Sequence, residues 1–285
     1  MPRETIGNPL SWSVRRLAGV GRSAEAAVEG IGSHDMTLPE VKEIGLGDIR
    51  VALRKGVEDF AALRTDVITA VALYPVIGFV LAAWALNAGQ IHLLFPLAAG
   101  FPLVGPVAAI GLYEMSRRRE MGEDVSWTAA LATLTGRVLG PVLSLGCLLA
   151  VIFALWLFVA HAIWAVTLGP EPYDSLLGFL GATFTTSAGW MMIGIGCGVG
   201  FIFAATVLCV SLVSFPMLID RPVGVPVALA TSVAVARRNP GATALWGLIV
   251  TVSLVLGMIP LFVGLIIVLP VLGHATWHLY RRAVA

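Results

Sequence analysis

Apolar residues gather into long runs along this chain, and prolines, glycines or clusters of arginine close them. The runs fall at about 67–86, 91–115, 142–167, 189–219, 242–259 and 261–280. Each approaches or exceeds the ~20 apolar residues a bilayer-spanning helix needs. Asn87-Ala88-Gly89-Gln90 joins the first two runs in a short turn, which forces an antiparallel hairpin. The fourth run is too long for one upright crossing and predicts tilt, or a break near Gly194 to Gly200. Gly169-Pro170-Glu171-Pro172 ends the third run, Tyr173 to Ser187 is a semi-polar segment expected along the membrane interface, and Pro260 marks the turn between the last two runs.

Three stretches carry a helical rather than a continuous apolar pattern. In Gly47 to Arg64, Ile49, Leu53, Val57, Phe60 and Leu63 recur at spacings of three and four among charged residues. That is the pattern of an amphipathic helix, here expected on the cytoplasmic membrane face. Ser126 to Leu139 and Val225 to Arg238 are weaker segments of the same kind. Residues 1–45 are polar, without a sustained apolar period, and are read as a cytosolic, partly disordered tail. The predicted fold class is an all-α membrane protein. Residues 46–285 supply six transmembrane helices as three pseudo-repeated hairpins, each preceded by a cytoplasmic amphipathic segment. The repeat shows in spacing: Pro106 lies eleven residues before Arg117 and Pro270 eleven before Arg281, with Tyr113 and Trp277 each seven residues past the proline. The middle third is looser, since Pro216 lies five before Arg221.

Composition supports a membrane protein, with 58% apolar and 12% charged residues against about 45–50% and about 25% in soluble domains. The net charge of +1 says little, but its distribution says much. Of the 18 Lys and Arg, nine precede the first run, four lie between the second and third, three between the fourth and fifth, and two follow the last. The positive-inside rule then puts both termini in the cytoplasm, and the bacterial inner membrane is the expected location. The opening residues lack the apolar core of a secretory signal, so no cleaved targeting peptide is expected. Cys147, Cys197 and Cys209 all lie in apolar runs and are read as small apolar residues without a redox role.

Candidate chemistry is sparse. His274 and His278, four residues apart, share one helical face near the end of the sixth run. They are the candidates for a metal or haem ligand pair, weighed against a simpler role as interfacial residues beside Trp277 and Tyr280. No third ligand is evident at a zinc-like spacing, so no metal or cofactor is assigned. Glu114 precedes Arg117 and Arg118 by three and four residues, and an ion pair of Glu114 with Arg118 across one helical turn is expected. His92 and His161 are read as interfacial, and His34 lies in the tail. Arg117, Arg118, Arg119, Arg221, Arg237 and Arg238 form a basic cytoplasmic rim that sets topology and faces lipid headgroups or a partner. Gly194, Gly196, Gly198 and Gly200 give overlapping small-residue pairs suited to close helix packing, expected within the protein. No phosphate-binding glycine loop or Ser/His/Asp set appears, and the basic residues are interleaved with acids, which argues against nucleic-acid binding.

Three stretches together carry a family resemblance: "LFPLAAGFPLVGPVAAIGLYEMSRRREMGEDVSW" at 94–127, "SLVSFPMLIDRPV" at 211–223, and the segment from "RRNPGATALWGLIV" to "VLPVLGHATWHLYRR" at 237–282. The chain resembles the bacterial integral membrane proteins grouped as domain of unknown function 2189, over about residues 46–282. The resemblance implies a six-helix inner-membrane protein and brings no activity with it. The expected function is non-enzymatic: an accessory protein that associates with a membrane complex or with lipid. A small transporter for a neutral or lipid-like molecule is the alternative, and a haem- or metal-binding protein using His274 and His278 is the third.

Overall fold

The computed structural model describes residues 32, 37–71, 73–87, 89–100, 105–126, 129–130, 138–169, 173 and 175–285. Most of the expected tail, most of the segment at 126–139, and Pro170 to Pro172 lie outside the described residues. Helices follow in the order α1 (Leu46–Val71), α2 (Leu73–Asn87), a 3-10 turn (Ile91–Leu93), α3 (Leu94–Gly100), α4 (Gly105–Ala108), α5 (Ile110–Met121), α6 (Leu139–Thr167), α7 (Leu176–Thr185), α8 (Ser187–Ser211), α9 (Ser214–Asp220), α10 (Val225–Arg238), α11 (Pro240–Met258) and α12 (Leu265–Ala283). The only extended pairing among the described residues is the bridge between Val41 and Val284.

Helix α1 starts at a half-formed capping box, in which the Gly45 N–H donates to the Asp48 carboxylate at 3.0 Å. That backbone donor is the main cause holding the Asp48 carboxyl below its ordinary range. Ile49, Ala52, Gly56 and Asp59 then make a buried stripe at spacings of three and four. The helix does not stop at Arg64, where the amphipathic pattern ends, but continues to Val71.

The stripe packs along α12. Asp48 pairs with Arg282 and Gly56 meets Val271 and Ala275, so the two helices run antiparallel. The contact is close enough that a Cβ at Gly56 would sit 2.7 Å from the Ala275 Cβ and N and from the Val271 carbonyl. Backbone bonds close the same end: Lys42 N–H to the Ala283 carbonyl and Ala285 N–H to the Glu40 carbonyl, each 2.9 Å. Asn239 adds a clamp, accepting from the Ile44 N–H at 2.9 Å and donating to the Lys42 carbonyl at 3.1 Å. The first and last described segments are thereby held together.

Among the described residues, three helical stretches are long and apolar enough to cross a bilayer: Leu139–Thr167, Ser187–Asp220 and Pro240–Met258. Shorter apolar helices lie at Pro75–Asn87, Ile91–Gly100 and Leu176–Thr185. Among the described residues the run at 91–115 holds the 3-10 turn, α3, α4 and the start of α5, with a turn at Ala109 between the last two. Pro96 and Pro106, within this stretch, lack the N–H that a continuous helix would use. At the far end, α11 turns into α12 through 259–264, where Leu261 and Phe262 take positive φ values of 51° and 66°. Glycine permits this hairpin, because a Cβ on Gly264 would meet the Gly257 Cα and carbonyl oxygen at 2.8 Å.

The break in the fourth run falls at Leu212-Val213, between α8 and α9, and not in the glycine stretch 194–200, which is continuous helix. Pro216 lacks an N–H, and Ser232 of α10 repairs the gap upstream of it. The Val213 N–H donates to the Ser232 Oγ at 3.3 Å, and the Ser232 hydroxyl donates to the Cys209 carbonyl at 2.7 Å. Val213 and Ser232 are fully buried. Ser232→Ala therefore strands two buried backbone groups and is expected to cost about 1–3 kcal/mol. An unchanged thermal unfolding midpoint in detergent would show the repair to be unnecessary.

The deepest packing lies at the end where α1, α5, α9, α10 and α12 meet, around Tyr113, Phe215, Met217, Trp277 and Tyr280. Away from it, α6, α8 and α11 carry large exposed apolar side chains such as Phe158, Phe201 and Leu256, a surface suited to hydrocarbon.

Candidate functional site

A polar cluster is built into that packed end. Asp59 comes from the buried stripe of α1, Ser116 and Arg119 from α5, and His274 and His278 from α12. Four of them are sealed: Asp59 is 5% exposed, Ser116 1%, His274 0% and His278 7%. His278 Nε2 lies 2.8 Å and Ser116 Oγ 2.6 Å from Asp59 Oδ2, and Arg119 Nη1 lies 2.6 Å from Asp59 Oδ1. Ser116 Oγ also lies 2.7 Å from His274 Nδ1.

The protons can be assigned from these distances. An ionised carboxylate only accepts, so His278 Nε2, Ser116 and Arg119 all donate to Asp59. Ser116 has one proton and gives it to Asp59, so its oxygen must accept from His274, which is then the Nδ1–H tautomer when neutral. His274 Nε2 is left buried without a hydrogen-bond partner. Burial works to raise the Asp59 pKa, but the hydrogen bonds from His278 and Ser116 and the nearby imidazoles outweigh it, and the carboxyl sits below its ordinary value.

Around the cluster, carboxylates engage most of the arginines. Arg118 Nε lies 2.7 Å and Arg117 Nη1 3.3 Å from the buried Glu114 carboxylate, and Arg117 also approaches Asp220 at 3.8 Å. Arg221 Nε donates to the Tyr280 hydroxyl at 3.1 Å, which in turn donates to Asp220 at 2.7 Å. Arg281 bridges Glu120 at 3.3 Å and Asp220 at 3.4 Å. Arg238 reaches the exposed Glu43 at 3.3 Å, and Arg237 is exposed. Of the basic rim, then, Arg117, Arg118, Arg119 and Arg221 turn to partners inside the molecule, whereas Arg237 and Arg238 point outward.

His274 and His278 were legible as a pair, but Asp59 and Ser116 were not singled out. Asp59 had a signal, since it is the one acid on the stripe Ile49, Ala52, Gly56. Ser116 had none. The two imidazoles engage Ser116 and Asp59, with Arg119 supplying the positive charge on the far oxygen of that carboxylate. Among the described residues no group of three or more His, Cys, Asp or Glu gathers as a metal site would.

A second histidine contact lies at the opposite end. His92 Nε2 is 2.9 Å from His161 Nδ1, and the His92 ring stacks on Trp164 at 3.7 Å between centroids. Of the four glycines in α8, Gly200 packs against Trp156, where a Cβ would meet the ring at 3.0 Å. Gly194, Gly196 and Gly198 have nothing within 4 Å. The close internal packing expected for the four is made at Gly200 alone.

Residues 94–220 match the model of a family described as predicted integral membrane protein (DUF2189). The family resemblance read from the sequence holds there, and the protein is an integral membrane protein with helices able to span a bilayer. No curated protein and no solved structure matches the chain.

Proposed function

Starting from an integral membrane protein of this family, we propose a multi-pass accessory protein of the bacterial inner membrane that acts by associating with another membrane protein. Six spans in three hairpins, with both termini cytoplasmic, are part of the proposal. The gathering of Arg117, Arg118, Arg119, Arg221, Arg281 and Arg282 at one end of the molecule supports that orientation. The titratable groups of the polar cluster act on one another beneath the surface and serve to lock α1, α5 and α12 in register.

The observation that carries association is Gly194 and Gly198. They stand four residues apart on a long apolar helix and face open space. A small-xxx-small pair lets a second helix approach closely within a membrane, and here no helix among the described residues packs on it. Cross-linking through the exposed Cys197 in native membranes, followed by purification and mass spectrometry, tests the reading. A stoichiometric membrane partner is expected, and Gly194→Leu with Gly198→Leu should release it. The double variant should unfold within about 0.5 kcal/mol of the parent, because both changes project into open space. Release together with unfolding, or a partner that the variant retains, would remove these glycines as the contact. A parent that purifies alone with lipid would favour a carrier for a lipid-like molecule.

A further inference from the structure

We infer that α7 is an interfacial helix whose outward face lies in the hydrocarbon edge of the bilayer leaflet opposite the arginine-rich end. Leu177, Leu180, Gly181 and Phe184 fall at i, i+3, i+4 and i+7, the spacing of one helical stripe. All four are exposed, Leu177 to 81% and Phe184 to 56%. The opposite side packs inward through Phe179 and Thr183. An apolar stripe turned away from the protein is the reverse of a soluble helix, and its natural solvent is lipid. At 10 residues the helix is about 15 Å long, half the ~30 Å hydrocarbon core, so it does not cross.

Three features place it at the boundary. No charged residue occurs from Ser175 to Ile219, so nothing on α7 resists insertion. Both helix ends are tied down: the Ser175 Oγ accepts from the Gly178 N–H at 3.1 Å, and the Thr186 hydroxyl donates to the Ala182 carbonyl at 2.7 Å. The exposed Trp190 donates from Nε1 to the Phe184 carbonyl at 3.0 Å, and indole is a side chain that favours the headgroup level. The exposed Thr185 and Thr186 turn their hydroxyls back onto the Gly181 and Ala182 carbonyls at 2.7 Å, and exposed apolar side chains resume at Met191, Ile195 and Phe201 of α8, in a stretch long and apolar enough to cross a bilayer. That apolar surface identifies the occupant as the bilayer. A helix so placed sits about 5–10 Å below the headgroup boundary.

The test uses the full chain in nanodiscs of phosphatidylcholine and phosphatidylglycerol. In a Cys147→Ala, Cys197→Ala, Cys209→Ala background, spin labels at Leu177→Cys and Phe184→Cys should relax with oxygen and be shielded from a water-soluble nickel complex. Relaxation by nickel would put the helix in water. Shielding from both reagents in native membranes would mean that protein covers it. Either result overturns the inference without touching the proposed association. A measurement with the native cysteines decides the matter if that background fails to fold. Lipids brominated near the headgroup should quench the parent, and Trp190→Phe should lose part of that quenching; equal quenching of the two would overturn the placement.

Discussion

Replacing Asp59 with alanine is expected to destabilise the protein more than any other single truncation in the polar cluster, by about 3–5 kcal/mol, the cost of removing one member of a buried charge pair. The carboxylate is 5% exposed and accepts from three side chains on two other helices. Its loss strands the Ser116 hydroxyl and the His278 Nε2–H in a site that water does not reach. Arg119→Ala should cost less, because the Arg119 side chain is 40% exposed and solvent can take over its charge. Asp59→Asn keeps the shape but turns one acceptor into a donor, so it should fall between the two. A double-mutant cycle of Asp59→Ala with His278→Ala should show positive coupling. Thermal unfolding in detergent reads all of these, and an Asp59→Ala protein that melts with the parent would remove the cluster as a structural lock.

The same residue sets an acid limit. The Asp59 carboxyl is held below its ordinary value of 3.8, and a group with a depressed folded pKa contributes stability that is present above the unfolded value and lost as pH falls through the folded one. The parent should therefore lose stability more steeply than Asp59→Asn as pH is lowered below about 4. Parallel profiles for the two proteins would mean that the carboxylate carries no net charge stabilisation.

How much of this was readable from the chain differs by kind of signal. The stretches from Leu139, Ser187 and Pro240 that are long and apolar enough to cross a bilayer were legible because twenty apolar residues outweigh any local ambiguity. The register of the breaks was less so. The glycines at 194–200 looked like the weak point of the fourth run, yet the break falls at Leu212-Val213, where the Pro216 ring opposes continuing the helix past Leu212 and Ser232 bridges the Val213 N–H and the Cys209 carbonyl. That bridge joins residues 19 apart across two helices, and no local pattern encodes it. His274 and His278 could be singled out as a pair on one face. Asp59, the partner of His278, lies 219 residues from it, in a segment whose charges invited a surface reading. The arginine rim was legible in part: the spacing gave the pairing of Glu114 with Arg118, but only the fold shows that Asp220 and Asp59, distant in sequence, meet Arg117 and Arg119.

The second large effect is expected at Gly56. Two of the three atoms that a Cβ there would meet at 2.7 Å are backbone, the Ala275 N and the Val271 carbonyl oxygen. A side chain can swing aside, but a helix backbone cannot, so any larger residue must push α1 and α12 apart. Overpacking of a tight contact typically costs about 1–3 kcal/mol and occasionally more, and the cost should rise from Gly56→Ala to Gly56→Leu. Ala275→Gly should restore little, since it removes only the Cβ. The separation also reaches the polar cluster, because Asp59 lies one turn beyond Gly56 and its 2.8 Å bond to His278 spans the same two helices. Gly56→Leu should therefore weaken the coupling between Asp59 and His278, whereas Gly194→Leu, facing open space, should leave it intact. If Gly56→Leu lowers the unfolding midpoint but the Asp59–His278 coupling survives undiminished, the helices have adjusted without separating, and the lock does not depend on their close approach.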